Sequence, residues 1–116
     1  MRWVVLADDW PPQLGGVASW AFGVAAGLAD AGDQVRVFAR DRPGLVAPPG
    51  VELTGVRGPS FGTAGPLWAA LRGGRALAEA DAVLATTWPM AEVLLRLPLL
   101  AIPPVHVVLH LSLIHI

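Results

Sequence analysis

Apolar positions along this chain follow two alternating rhythms. Trp3 to Ala7 (WVVLA) is an unbroken apolar run rich in valine, which predicts a strand covered on both faces of a parallel sheet. From Val17 the apolar residues Val17, Ala21, Val24, Ala25 and Leu28 recur at helical spacing, and Gly32 is placed to end that helix as a left-handed cap. Gln34 to Arg40 (QVRVFAR) alternates like a second strand, closed by the proline- and glycine-rich loop DRPGLVAPPG. Val51 to Val56 predicts a short third strand, and RGPSFGTAG after it has loop composition. Pro66 suits the first turn of a second helix, with Leu67, Ala70, Leu71 and Leu77 roughly on one face; Gly73 and Gly74 weaken it by about 1 kcal/mol each relative to alanine. Ala82 to Thr87 is a fourth strand, Pro89 opens a brief helix to about Arg96 with Glu92 near its positive end, and Val105 to His110 is a fifth strand.

Strands alternating with helices imply a mostly parallel sheet with crossovers, so the expected architecture is a three-layer, Rossmann-like α/β domain. No internal repeat or linker divides residues 1–110, which read as one domain. The tail Leu111 to Ile116 (LSLIHI) fits no element of that pattern. It reads as non-native sequence rather than a last strand that runs on, because an uninterrupted apolar end without charged gatekeepers invites edge-to-edge aggregation.

Composition narrows the function. At 116 residues and 54% hydrophobic the chain has ample material for one core. A net charge of −1 with 15% charged residues carries no basic stripe, so nucleic acid is not expected as a partner. All 8 basic residues are arginine, which excludes chemistry that needs a lysine, and the lack of cysteine excludes disulfides, thiolate metal sites and cysteine nucleophiles. The apolar stretch before Asp8 and Asp9 is too short for a signal peptide, and Val93 to Leu109 is interrupted by Arg96, Pro98, Pro103 and Pro104. A soluble, cytoplasmic protein is expected.

The densest chemistry lies in ADDWPPQLGGVASW, residues Ala7 to Trp20. In a parallel α/β sheet, ligands gather at the carboxyl ends of the strands, where this stretch, Thr86 to Pro89 and His110 would converge. Pro11 and Pro12 stiffen the loop, while Gly15 and Gly16 let a ligand approach the amides that open the helix, where the dipole favours a phosphate. A tight strand-to-helix turn with no ligand is the competing reading. There is no GxGxxG, and a Walker loop needs the absent lysine. Asp8 and Asp9 could hold magnesium as paired acids do in receiver domains, but the third strand ends in LTG without an acceptor aspartate; a solvated loop is preferred. Trp10 could line a cleft, and Trp88 with Thr86 and Thr87 occupies another strand-end loop, with packing or capping as the simpler assignment for each. Trp20, Phe22 and Trp68 could form a membrane-touching face, core packing again being preferred.

VVLADDWPPQLGGVASWAFGVAAGLADAGDQVRVFAR resembles the amino-terminal signature of family-four retaining glycosyltransferases of the GT-B fold. Asp9, Trp10, Pro11, Pro12, Gly15 and Gly16 match the acid, aromatic, Pro-Pro and Gly-Gly pattern, with Asp33 and Gln34 in place of the usual His and Glu. VVLH resembles the strand that ends in the family's histidine. The resemblance implies a transferase that moves a sugar from a nucleotide-sugar donor to a glycan or lipid acceptor with retention of configuration, this chain being the acceptor-side domain. It further implies donor phosphate at Gly15 and Gly16, His110 near the donor sugar, Asp9, Trp10, Thr87 and Trp88 along the acceptor cleft, and no metal or other cofactor. A peripheral contact at the inner face of the membrane would go with a lipid acceptor.

The family pattern continues beyond His110 into a donor domain with paired glutamates, which this sequence lacks. The 116-residue chain is therefore expected to be inactive in sugar transfer by itself. The alternative function is a non-catalytic Rossmann-like module that binds a phosphate-bearing small molecule.

Overall fold

The computed structural model describes residues 1–7, 9–12, 15–57, 76–86 and 105–107. In chain order these form β1 (Arg2–Ala7), α1 (Gly16–Asp30), β2 (Gln34–Arg40), β3 (Val51–Val56), α2 (Ala76–Glu79), β4 (Ala82–Ala85) and β5 (Val105–Val107). The strands make one five-stranded sheet in the order β3-β2-β1-β4-β5, with every pairing parallel. The unbroken apolar run lies at its centre: Val4, Val5, Leu6 and Ala7 of β1 are all buried, as a strand flanked on both sides and covered on both faces requires.

Register sorts the side chains between the two faces. Val5 of β1 aligns with Val37 of β2 and Leu84 of β4, and on the same face Ala7, Val35, Ala39 and Val51 complete the contact with α1. The helix meets this face through Ala21 and Ala25, whose small side chains let it approach closely, while Phe22, Val24, Leu28 and Trp20 pack around them partly buried. On the opposite face Val4, Leu6, Phe38, Val83 and Ala85 are buried too. There α2 is tied to the sheet through Arg36, whose guanidinium meets Glu52 and Glu79 at 3.2 Å each. Helix, sheet and helix give an α/β architecture of Rossmann type.

The end of α1 follows from its glycine. Gly32 has φ +98°, and its N–H donates to the Ala29 carbonyl (3.0 Å) while that of Asp33 donates to Leu28 (3.1 Å), the two bonds of a Schellman motif. Asp33 then accepts from the Trp3 indole at 3.2 Å, and the Gln34 N–H donates to the Met1 carbonyl at 3.0 Å, so the cap delivers the chain into β2 alongside β1.

The crossover from β2 to β3 carries no helix. Residues 41–50 form an irregular strap in which Leu45 packs on the core, Pro48 is buried, and Gly50 at φ +82° turns against Ala29 of α1. Its start is fixed by Asp41, whose N–H donates to Val56 at 2.8 Å and whose carboxylate faces Arg57 at 3.6 Å.

β2 and β3 run as the sequence pattern predicts, whereas β4 stops at Ala85, with Thr86 in a bend that stays bonded to β1, and Thr87 lies outside the described residues. The helix expected from Pro66 is described only at α2, and the helix from Pro89, Asp8, Trp68 and the tail from Leu111 lie outside the described residues.

Candidate functional site

The strand order reverses between β1 and β4. Chain leaving β1 passes to β2 and β3 on one side, and β4 and β5 lie on the other, so the carboxyl ends of β1 and β4 mark the topological switch point where α/β sheets hold ligands. Asp9, the start of α1 and Thr86 are the described elements at this edge.

Gly15 precedes α1 at φ +139° and ψ 162°, a region that is almost exclusively glycine's. It caps the helix without any side-chain hydrogen bond, and no acidic residue stands in the first turn. Ser19 N–H closes the first turn on the Gly15 carbonyl at 3.1 Å. Among the described residues a Cβ placed on Gly15 or on Gly16 would meet nothing within 4 Å. The glycines at this turn thus differ: Gly15 supplies the backbone angle, whereas Gly16 has no such requirement and would seat a Cβ without contact among the described residues.

Trp10 does not line a cleft. The indole is fully buried, belongs to the core cluster, sits 5.5 Å from Phe22 between ring centroids, and donates from Nε1 to the Val46 carbonyl at 2.9 Å. An irregular crossover leaves carbonyls unpaired, and the indole N–H satisfies one of them while the ring fills space beneath the strap. Two residues on, Pro12 Cγ lies 3.6 Å from where a Gly44 Cβ would stand, a second contact between the same two loops. Asp9 is half-buried beside this anchor.

Thr86 is wholly buried and caps β1. Its N–H and its hydroxyl both donate to the Leu6 carbonyl, at 3.1 and 2.9 Å, which stitches the two strands together at the switch point. Thr87, Trp88 and His110 lie outside the described residues.

Sequence reasoning passed over Arg42. It follows the end of β2, is half-buried, and its Nε is buried without a hydrogen-bond partner. The one sequence signal was an arginine straight after a strand and before Pro-Gly. At the opposite edge of the sheet Arg2, Val4, Gln34, Arg36 and Glu79 surround a small cavity. Its charges are already matched, Arg36 by two glutamates and Arg2 by Asp81 at 3.8 Å, so it offers no free charge to a ligand. Among the described residues no cluster of His, Asp and Glu could hold a metal ion, and no helix is long and apolar enough to cross a membrane.

Fold and edge geometry together define an α/β domain of Rossmann type whose first helix starts, without a side-chain cap, at the switch point. No protein-family model matches the chain, and no curated protein matches it.

Proposed function

We propose that this chain is the acceptor-side domain of a retaining, nucleotide-sugar-dependent glycosyltransferase that acts on a glycan or lipid acceptor. The observation that carries the reading is the start of α1 at Gly15 and Gly16 on the carboxyl edge of the sheet, which has no side-chain cap and, among the described residues, nothing within 4 Å of a Cβ at either glycine. The first amides of a helix lack intrahelical partners and carry the positive end of the helix dipole, which suits the diphosphate of a donor. The resemblance of the Asp9 to Gly16 stretch to family-four enzymes supplies the chemistry that the turn alone leaves open. In that reading His110 stands near the donor sugar and Thr87 and Trp88 face the acceptor, while Trp10 braces the loop from inside. Such a transferase would work in the cytoplasm or at the inner face of the membrane.

The test is a titration of the ¹⁵N-labelled 116-residue chain with pyrophosphate and with UDP-glucose. Amide shifts concentrated at Gly15, Gly16, Val17 and Ala18 are expected, weakened in Gly16→Ala because the added methyl stands where the ligand approaches. Saturating pyrophosphate that leaves these amides unmoved overturns the reading. If pyrophosphate binds there while sugar transfer is absent from every longer form of the protein, the same turn belongs to a non-catalytic phosphate-binding module.

A further inference from the structure

Trp10 touches more than the loop on which it stands. Its ring packs against Phe22 of α1, with centroids 5.5 Å apart, and its Nε1–H is bonded to the Val46 carbonyl of the crossover at 2.9 Å. Pro12, two residues on, stands with Cγ 3.6 Å from the Cβ position of Gly44 in the same crossover. The indole is wholly shut from solvent, so neither segment can move off it without exposing core surface. Both segments are weakly held by themselves. Residues 41–50 carry no helix, with Pro43, Gly44, Val46 and Ala47 exposed, and the start of α1 has no side-chain cap. Segments of this kind open locally, below the free energy of global unfolding. Here the two share one anchor.

We propose that residues 9–12, the start of α1 and the crossover 41–50 open and close as one unit with Trp10 as its positioning residue, so that an anion held at Gly15 and Gly16 secures the crossover as well. The ligand part of this rests on the transferase reading above. A ligand that binds only the closed form stabilises every group that the opening exposes by the same amount, whichever segment the group lies in. Occupancy of the turn thereby sets the order of the crossover, and a loosened crossover weakens the turn's hold on the anion to the same extent.

Two hydrogen-bonded protons report the two sides: Ser19 N–H, held on the Gly15 carbonyl at 3.1 Å, and Trp10 Nε1–H, held on Val46. Their hydrogen exchange is followed by NMR in the full 116-residue chain at low urea, the indole signal being assigned by its loss in Trp10→Phe. Both are expected to exchange through an opening of the same free energy and urea dependence, smaller than global unfolding. Pyrophosphate at about ten times its dissociation constant is expected to slow both by about tenfold. In Trp10→Phe the Ser19 amide is expected to exchange about tenfold faster, whereas a tryptophan that only fills the core would lower the unfolding midpoint and leave this partial opening as it was. Unequal opening free energies, exchange through global unfolding alone, or an unchanged Ser19 rate in Trp10→Phe overturns the proposal. If pyrophosphate slows Ser19 and not the indole, the coupling falls and the transferase reading stands. If pyrophosphate moves nothing at Gly15 to Ala18, the transferase reading falls and the ligand linkage with it, while equal openings in the free chain leave the shared unit standing.

Discussion

The indole Nε1 of Trp10 donates to the carbonyl of Val46 at 2.9 Å, joining two loops that lie 36 residues apart in sequence. Through this bond the segment after β1 and the helix-free crossover after β2 become one unit at the carboxyl edge. Trp10→Phe keeps most of the packing and loses the donor, so it is expected to destabilise by about 1–2 kcal/mol. Trp10→Ala also empties core volume beside Phe22, at about 3–5 kcal/mol. Urea unfolding midpoints of the two variants check the order, and amide exchange should rise across residues 43–47 in Trp10→Phe.

Gly55 and Asp41 form a second tight pair. A Cβ on Gly55 would stand 2.6 Å from Asp41 Oδ1 and 3.2 Å from its Cβ. Both residues are exposed, so Gly55→Ala is expected to turn the Asp41 carboxylate aside and to cost less than about 1 kcal/mol. Adding Asp41→Ala should recover part of that loss, making the double variant less damaged than the sum; additive thermal shifts would show that the two residues do not press on each other.

Thr86→Val tests the stitch at the switch point. The hydroxyl bond to Leu6 is lost, but the Thr86 N–H still serves the same carbonyl. The expected loss is about 0.5–1.5 kcal/mol, read by chemical denaturation with an unchanged m-value.

Gly15 and Gly16 should respond in opposite directions to the same substitution. Gly15→Ala forces an L-residue to φ +139° and should cost about 1–3 kcal/mol. Gly16→Ala, at the first helical position, meets nothing within 4 Å among the described residues and should leave stability unchanged or raise it by up to about 1 kcal/mol. Paired melting curves decide; equal losses in both would mean that the turn is held by contacts rather than by backbone angle.

Local signals were strong where a residue's role depends on its own backbone or on its near neighbours. The strand at Trp3 to Ala7, the helix periodicity from Val17, the positive-φ cap at Gly32 and the bounds of β2 and β3 could all be read from the chain, because burial on both faces, helical spacing and glycine's freedom leave local marks. The Gly15 and Gly16 turn was legible for the same reason. Trp10 was not: an aromatic residue in a strand-end loop reads equally as a cleft wall or a core residue, and the choice depends on a carbonyl at Val46 that no sequence rule connects to it.

The sequence by itself determined the alternation of strands and helices, and with it an α/β domain whose glycines shape the first turn. Tertiary structure alone decided the strand order, and so brought the ends of β1 and β4 together at Leu6 and Thr86. It also decided that the crossover after β2 needs an indole beneath it and leaves Arg42 without a partner. The division has a physical reason. Periodicity and backbone angles are set within a few residues of chain, whereas pairing of buried polar groups is settled only when distant segments meet.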